Sequence, residues 1–140
     1  MRKGLGDAKE SNFERRLAVL AKMGLKAMKV PKSAVGIFLL GAAEMARLKY
    51  RFFKKKSKKS VDVLSFREPP HFPHPESRRK FLGEIYLNKE LLKKDLKRLE
   101  FLLIHGLLHL LGYSHQRKSD ILKMERAEEK LAKKLVQFRI

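Results

Sequence analysis

His105-Gly106-Leu107-Leu108-His109-Leu110-Leu111-Gly112-Tyr113-Ser114-His115 sets three imidazoles at i, i+4 and i+10 inside an apolar run of an otherwise highly charged chain. On a helix that runs to Gly112, His105 and His109 share a face one turn apart, with Cβ atoms roughly 5–6 Å from each other. Glycine is the preferred residue at the left-handed position that ends a helix, so Gly112 stops it. The residues after it then fold His115 back toward the same point. The spacing reads as three ligands, His105, His109 and His115, closing on one metal ion. A lone His in an apolar helix is usually a core residue with one hydrogen-bond partner. Two on one face with a third past a glycine stop are different, because burying imidazoles without partners costs several kcal/mol. Three His and no visible fourth ligand leave a position for water, which is how catalytic zinc differs from structural zinc.

Outward from this motif, residues 89–111 keep helical spacing with a break near Asp95, and residues 101–111 are apolar on nearly every side. A helix apolar all round is buried, so the histidines ride on the core helix. Upstream, residues 81–87 read as a strand and Asn88 as the N-cap of the helical stretch after it. Residues 61–66 read as another strand from their β-branched and aromatic content. Residues 33–40 form a short apolar run that suits a strand buried on both faces. Ser11-Asn12-Phe13-Glu14 reads as a capping box opening a helix over 12–28, with Arg15, Arg16, Lys22 and Lys26 on a solvated outer face. A second helix over 41–51 turns Ala42, Met45, Ala46 and Leu48 inward. A last one runs from a cap at Ser119 to about Phe138, with Met124, Ala127, Leu131, Leu135 and Phe138 in one stripe.

The 140 residues suit one domain spanning the chain. Lys and Arg number 34 against 15 Asp and Glu, a formal charge of +19. Such a field attracts polyanions, nucleic acid before an anionic membrane surface, because neutralised phosphates release counterions. No cysteine is present, which excludes disulfides, thiolate zinc and a Cys nucleophile together. No run reaches the ~18 apolar residues of a membrane span, and the charged residues 1–16 contain no apolar signal core, so a cytoplasmic protein is expected.

The densest positive cluster is Phe52-Phe53-Lys54-Lys55-Lys56-Ser57-Lys58-Lys59-Ser60. It reads equally as a solvated loop and as a phosphate-contacting one, with two aromatics leading into it. Residues 67–79 hold four of the five prolines together with His71 and His74, the pattern of an irregular surface loop with exposed imidazoles.

The motif His105-Gly-x-Leu-His109-Leu-x-Gly-Tyr113-x-His115 resembles the signature of the YbeY family of metal-dependent endoribonucleases. Val61-Asp62-Val63-Leu64-Ser65-Phe66 and Leu82-Gly83-Glu84-Ile85 resemble two of that family's strands, in the same order. The resemblance implies an α+β fold, a mixed β-sheet flanked by helices around a buried metal-binding helix of zincin or metzincin type. It implies one Zn2+ or another divalent ion held by the three His plus water. The implied activity is cleavage of single-stranded RNA in maturing the 3′ end of small-subunit ribosomal RNA and in ribosome quality control. The implied partner is the small ribosomal subunit, with no membrane. Nucleic-acid contacts are expected from Arg51, Lys54, Lys55, Lys56, Lys58, Lys59 and Arg67. The family's functional Arg matches Arg51 in residue type and Lys55 in spacing, and Arg51 is taken as the catalytic cation beside the histidines.

The chain departs from the family pattern at Val61, where Thr is usual, at Arg67, where Pro is usual, and at Ser114, where Asp is usual. Two other readings stand beside the nuclease. One is an RNA-binding module with a mainly structural metal. The other is a zinc peptidase, disfavoured because metzincin-type proteases place a general-base Glu where this chain has Gly106. Ser114→Asp is expected to raise the rate of RNA cleavage on a ribosomal 3′-end substrate. An unchanged or lower rate would show that the carboxylate is dispensable here.

Overall fold

The computed structural model describes residues 5–54, 61–68, 80–114 and 116–136, with side chains described between residues 12 and 135 of these. In chain order the elements are α1 (Leu5–Ala27), β1 (Ser33–Leu40), α2 (Ala42–Phe53), β2 (Val63–Arg67), β3 (Lys80–Asn88), α3 (Leu91–Lys94), α4 (Leu96–Leu110) and α5 (Lys118–Val136). The sheet order is β1-β3-β2, with β1 parallel and β2 antiparallel to β3. This is an α+β architecture with a small mixed sheet flanked by helices.

Alternation along β3 divides the sheet into two faces. Ile85 and Leu87, both fully buried, point into the main core with Val35, Ile37, Leu39 and Val63. That core is completed by α1, α4 and α5 through Leu17, Leu25, Leu103, Leu107, Leu108, Met124 and Leu131. Fully burying a leucine is worth about 1.5–3 kcal/mol, so the leucine-rich α4 is the largest single contributor. Tyr86, Leu64 and Phe66 point the other way, where α2 closes a smaller core through Met45 and Leu48.

α4 is buried along most of its length, as its composition predicts, although Phe101 stays 44% exposed. Two glycines let it approach its neighbours. A Cβ on Gly106 would lie 3.0 Å from Ile85 Cγ2, and one on Gly24 of α1 would lie 3.0 Å from Leu107 Cδ1. Asp95 does break the helical run. Its side chain accepts the Arg98 N–H at 3.1 Å and caps α4, while Arg98 pairs with Asp62 at 3.1 Å.

Several boundaries differ from the expectations. α1 starts at Leu5, so Ser11-Asn12-Phe13-Glu14 lies inside the helix and does not cap it. Arg16 is not simply solvated; its Nε donates to Glu100 at 3.0 Å, because Glu100 is only 3% exposed and a buried carboxylate needs a cation. β1 is an edge strand rather than a strand buried on both faces, and Phe38 is 40% exposed, because β3 takes the centre. α2 runs on through Phe52 and Phe53, and Lys54 ends it in the left-handed conformation at φ 55°. Its inward residues are Met45 and Leu48, while Ala46 is exposed. Asn88 ends β3: its Oδ1 accepts the Glu90 N–H at 3.0 Å and its Nδ2 donates to Val61 O at 3.3 Å. α5 starts one residue before Ser119, and Phe138 lies outside the described residues.

The centre of the sheet depends on Gly83, where the β1–β3 register shifts. Its φ is +145°, and a Cβ there would come within 2.1 Å of Phe66 O. Gly83→Ala therefore combines backbone strain with a main-chain clash between β2 and β3. A loss of about 2–4 kcal/mol in unfolding free energy is expected from denaturant titration. A loss under 0.5 kcal/mol, on the order of an ordinary surface change, would contradict the clash.

Candidate metal centre

Helical geometry delivers the first two histidines. His105 and His109 stand one turn apart on the flank of α4 away from α1, with ring centres 4.7 Å apart and planes crossing at 72°. The two Nε2 atoms face each other at 3.2 Å. Two nitrogens bound to one zinc at about 2.0–2.1 Å with tetrahedral angles stand roughly 3.3–3.4 Å apart. The pair thus has the convergence that metal ligation requires. His109 also lies in the last turn of α4, where unpaired carbonyls give the helix end a partial negative charge that favours a cation.

The helix then closes by a Schellman motif, as Gly112 predicts. The Tyr113 N–H donates to Leu108 O and the Gly112 N–H to His109 O, both at 3.0 Å, with Gly112 at φ +106°. The chain leaves α4 through half-buried Tyr113 and Ser114. His115, the expected third ligand, lies outside the described residues, as do His71 and His74. Among the described residues no three His, Cys, Asp or Glu side chains converge on one point.

Glu128 is the residue of this candidate centre that the sequence did not point to. From α5 its Oε2 stands 2.6 Å from His105 Nδ1, and the two side chains are only 11% and 20% exposed. The carboxylate accepts the Nδ1 proton and fixes the tautomer, which leaves the Nε2 lone pair aimed at His109. A carboxylate behind a ligating imidazole orients the ring and raises its basicity. The only signal in the sequence was position: Glu128 follows the inward residues Met124 and Ala127 by four and one, on the edge of the buried stripe of α5.

The expected cations are placed elsewhere. Arg51 is exposed on α2, which packs on the sheet face opposite α4; its Cζ lies 5.9 Å from the Phe52 ring centre. It lines an open cavity of about 690 Å³ with Leu40, Glu44, Arg47 and Tyr50 among its neighbours. Lys54 is exposed at the end of that helix. Arg67, also exposed, closes β2 opposite Gly83, where an added Cβ would lie 3.0 Å from Leu110 Cδ2 of α4. Lys55, Lys56, Lys58 and Lys59 lie outside the described residues.

A family model described as Endoribonuclease YbeY matches residues 5–136. The chain is similar to the Endoribonuclease YbeY of Endomicrobium trichonymphae, with 30% identity over 84% of this chain and 82% of the relative. It is likewise similar to that of Thermodesulfovibrio yellowstonii, with 33% identity over 72% of this chain and 66% of the relative. The solution structure of a Thermotoga maritima protein aligns with 96% of the chain and 89% of its own, at 22% identity and a TM-score of 0.45.

Glu128→Ala is expected to weaken zinc binding about 10- to 100-fold, read by competition against a chromophoric chelator. Unchanged affinity would remove Glu128 from the centre.

Proposed function

The chain belongs to the YbeY family of endoribonucleases, and from that premise we propose that it is a metal-dependent nuclease that cleaves single-stranded RNA. The RNA is the 3′ region of small-subunit ribosomal RNA, and the setting is the cytoplasm, in ribosome maturation and quality control. The observation that carries the reading is the convergence of His105 and His109 Nε2 at 3.2 Å with Glu128 behind His105. Zinc or another divalent ion would be held by His105, His109 and His115, with water completing its ligands. α4 is then the metal-binding helix of a zincin-like site.

A bound zinc supplies a water that ionises near neutral pH, or a Lewis acid for a phosphoryl oxygen. The residues of the chain prepare that chemistry. Glu128 holds the His105 proton on Nδ1, so Nε2 carries the lone pair that ligates. Ligation through His109 Nε2 requires that ring to carry its proton on Nδ1. Arg51, Lys54 and Arg67 neutralise RNA phosphates, and Lys55, Lys56, Lys58 and Lys59, outside the described residues, add to the positive charge of the same stretch of sequence.

The peptidase reading loses support in the fold. A side chain at position 106 would start 3.0–3.3 Å from three atoms of fully buried Ile85. The position of the protease general base is therefore occupied by helix–sheet packing. A structural metal in an RNA-binding module is separated from the nuclease by experiment. His109→Ala is expected to abolish both zinc binding and cleavage of a defined ribosomal 3′-end RNA, against nuclease-free controls, while the far-ultraviolet circular dichroism remains native. Cleavage that survives intact would reject the metal mechanism, and melting of the domain without any wild-type cleavage would favour the structural metal.

A further inference from the structure

The sheet face opposite α4 carries a continuous row of aromatic rings. Phe38 of β1 stacks on Tyr86 of β3, with ring centres 5.0 Å apart and planes 19° apart. Tyr86 meets Phe66 of β2 edge-on at 5.7 Å. Phe66 in turn packs against Phe52 and Phe53 of α2 at 5.0 and 5.9 Å. The rings therefore cross all three strands and end on the last turn of a helix.

This row is only partly covered. α2 closes over Val61 and Leu64 through Met45, leaving Phe38 40%, Phe52 59% and Phe53 47% exposed. Exposed aromatics grouped this closely mark a binding surface rather than ordinary surface scatter. The charges around them select the partner. Arg51 and Lys54 flank Phe52 and Phe53, exposed Arg47 stands one turn before Arg51, and the whole chain carries +19. A net charge of this size favours a polyanionic partner, and Lys54 is of a type depleted at protein–protein interfaces. Rings for bases beside cations for phosphates are the combination that single-stranded nucleic acid requires.

We propose that this face is a docking surface for single-stranded RNA, with unpaired bases stacking on Phe38, Phe52 and Phe53 and phosphates meeting Arg51 and Lys54. The Tyr86 hydroxyl donates to Glu84 Oε1 at 2.9 Å, which sets a carboxylate beside the central rings. That carboxylate repels phosphate and accepts base N–H groups, so bases rather than backbone face the sheet. Burial, together with the Glu84 hydrogen bond and charge, raises the pKa of Tyr86, which keeps its ring a neutral phenol. The inference rests on the RNA-directed reading above. Because α4 lies across the sheet, RNA held here has to pass around the sheet to reach the histidines. The surface thus grips a segment flanking the cleaved bond.

The test compares two fluorescent oligomers of equal length, oligouridylate and an abasic ribose-phosphate chain, binding to the full chain with chelator present to prevent cleavage. Both carry the same phosphates and only one has bases. Wild type is expected to bind oligouridylate about tenfold tighter or more. Phe38→Leu and Phe52→Leu, which retain apolar bulk without a π face, should each weaken oligouridylate about fivefold or more and leave abasic affinity unchanged. Arg51→Gln should weaken both oligomers alike and flatten the salt dependence. Equal affinity for the two oligomers overturns the proposal, as does wild-type behaviour of both Leu variants. So does sedimentation showing that these rings close a dimer instead. Should a Leu variant not fold, crosslinking of 4-thiouridine-containing RNA to wild type decides. Crosslinks to the β1 and β3 peptides bearing Phe38 and Tyr86 support the surface, and crosslinks confined elsewhere refute it. Base-dependent binding with no cleavage by the metal-supplied protein in a separate assay would sink the nuclease reading alone; cleavage there with base-indifferent binding would sink this surface alone.

Discussion

Burying α4 governs how every other element is arranged. The helix packs against β2, β3, α1 and α5, so each polar side chain on its covered flanks needs a partner within the protein. An unsatisfied buried polar group costs about 1–3 kcal/mol, and more if charged. Glu100 is met by Arg16 from α1 and His105 by Glu128 from α5, while His109 faces His105. Among the described residues no buried side-chain nitrogen or oxygen lacks a hydrogen-bond partner. The pairs that satisfy the helix also orient it. α1 takes one flank, and the opposite flank presents two imidazole nitrogens to each other.

The sheet separates two kinds of chemistry. Gly83 and Gly106 let β2, β3 and α4 approach closely, so Ile85 fills the space beneath the histidine helix and any side chain at position 106 would press on it. The opposite face is a row of rings under a short basic helix. Period-two alternation along β3 produces this division: Ile85 and Leu87 go to one side, Glu84 and Tyr86 to the other.

Much of the main axis was readable in the residues. The apolar stretch around Leu103, Leu107 and Leu108 marked the core helix, Asp95 a break in the helical run and Gly112 its end, and all three agree with the fold. Local signals misled where tertiary packing overrode them. Ser11 to Glu14 has the spacing of a capping box, yet α1 begins upstream of it. The run from Ser33 to Leu40 is as apolar as a central strand, but β3 occupies the centre and leaves Phe38 at the edge. Phe52 and Phe53 look like the start of a loop beside the lysines and instead extend a helix, because Phe66 offers them a surface.

The histidine spacing, the helix that carries it, its glycine stop and the exclusion of thiolate ligands are all written in the order of the residues. They follow from local periodicity, backbone sterics and composition. It took the packed fold to set Glu128 behind His105, to answer Glu100 with Arg16, and to put Arg51 on the sheet face away from α4. Those partners are separated by 23 and 84 residues in two of the cases. Which side chains meet across such distances is set by how helices pack on a sheet, and no local spacing encodes it.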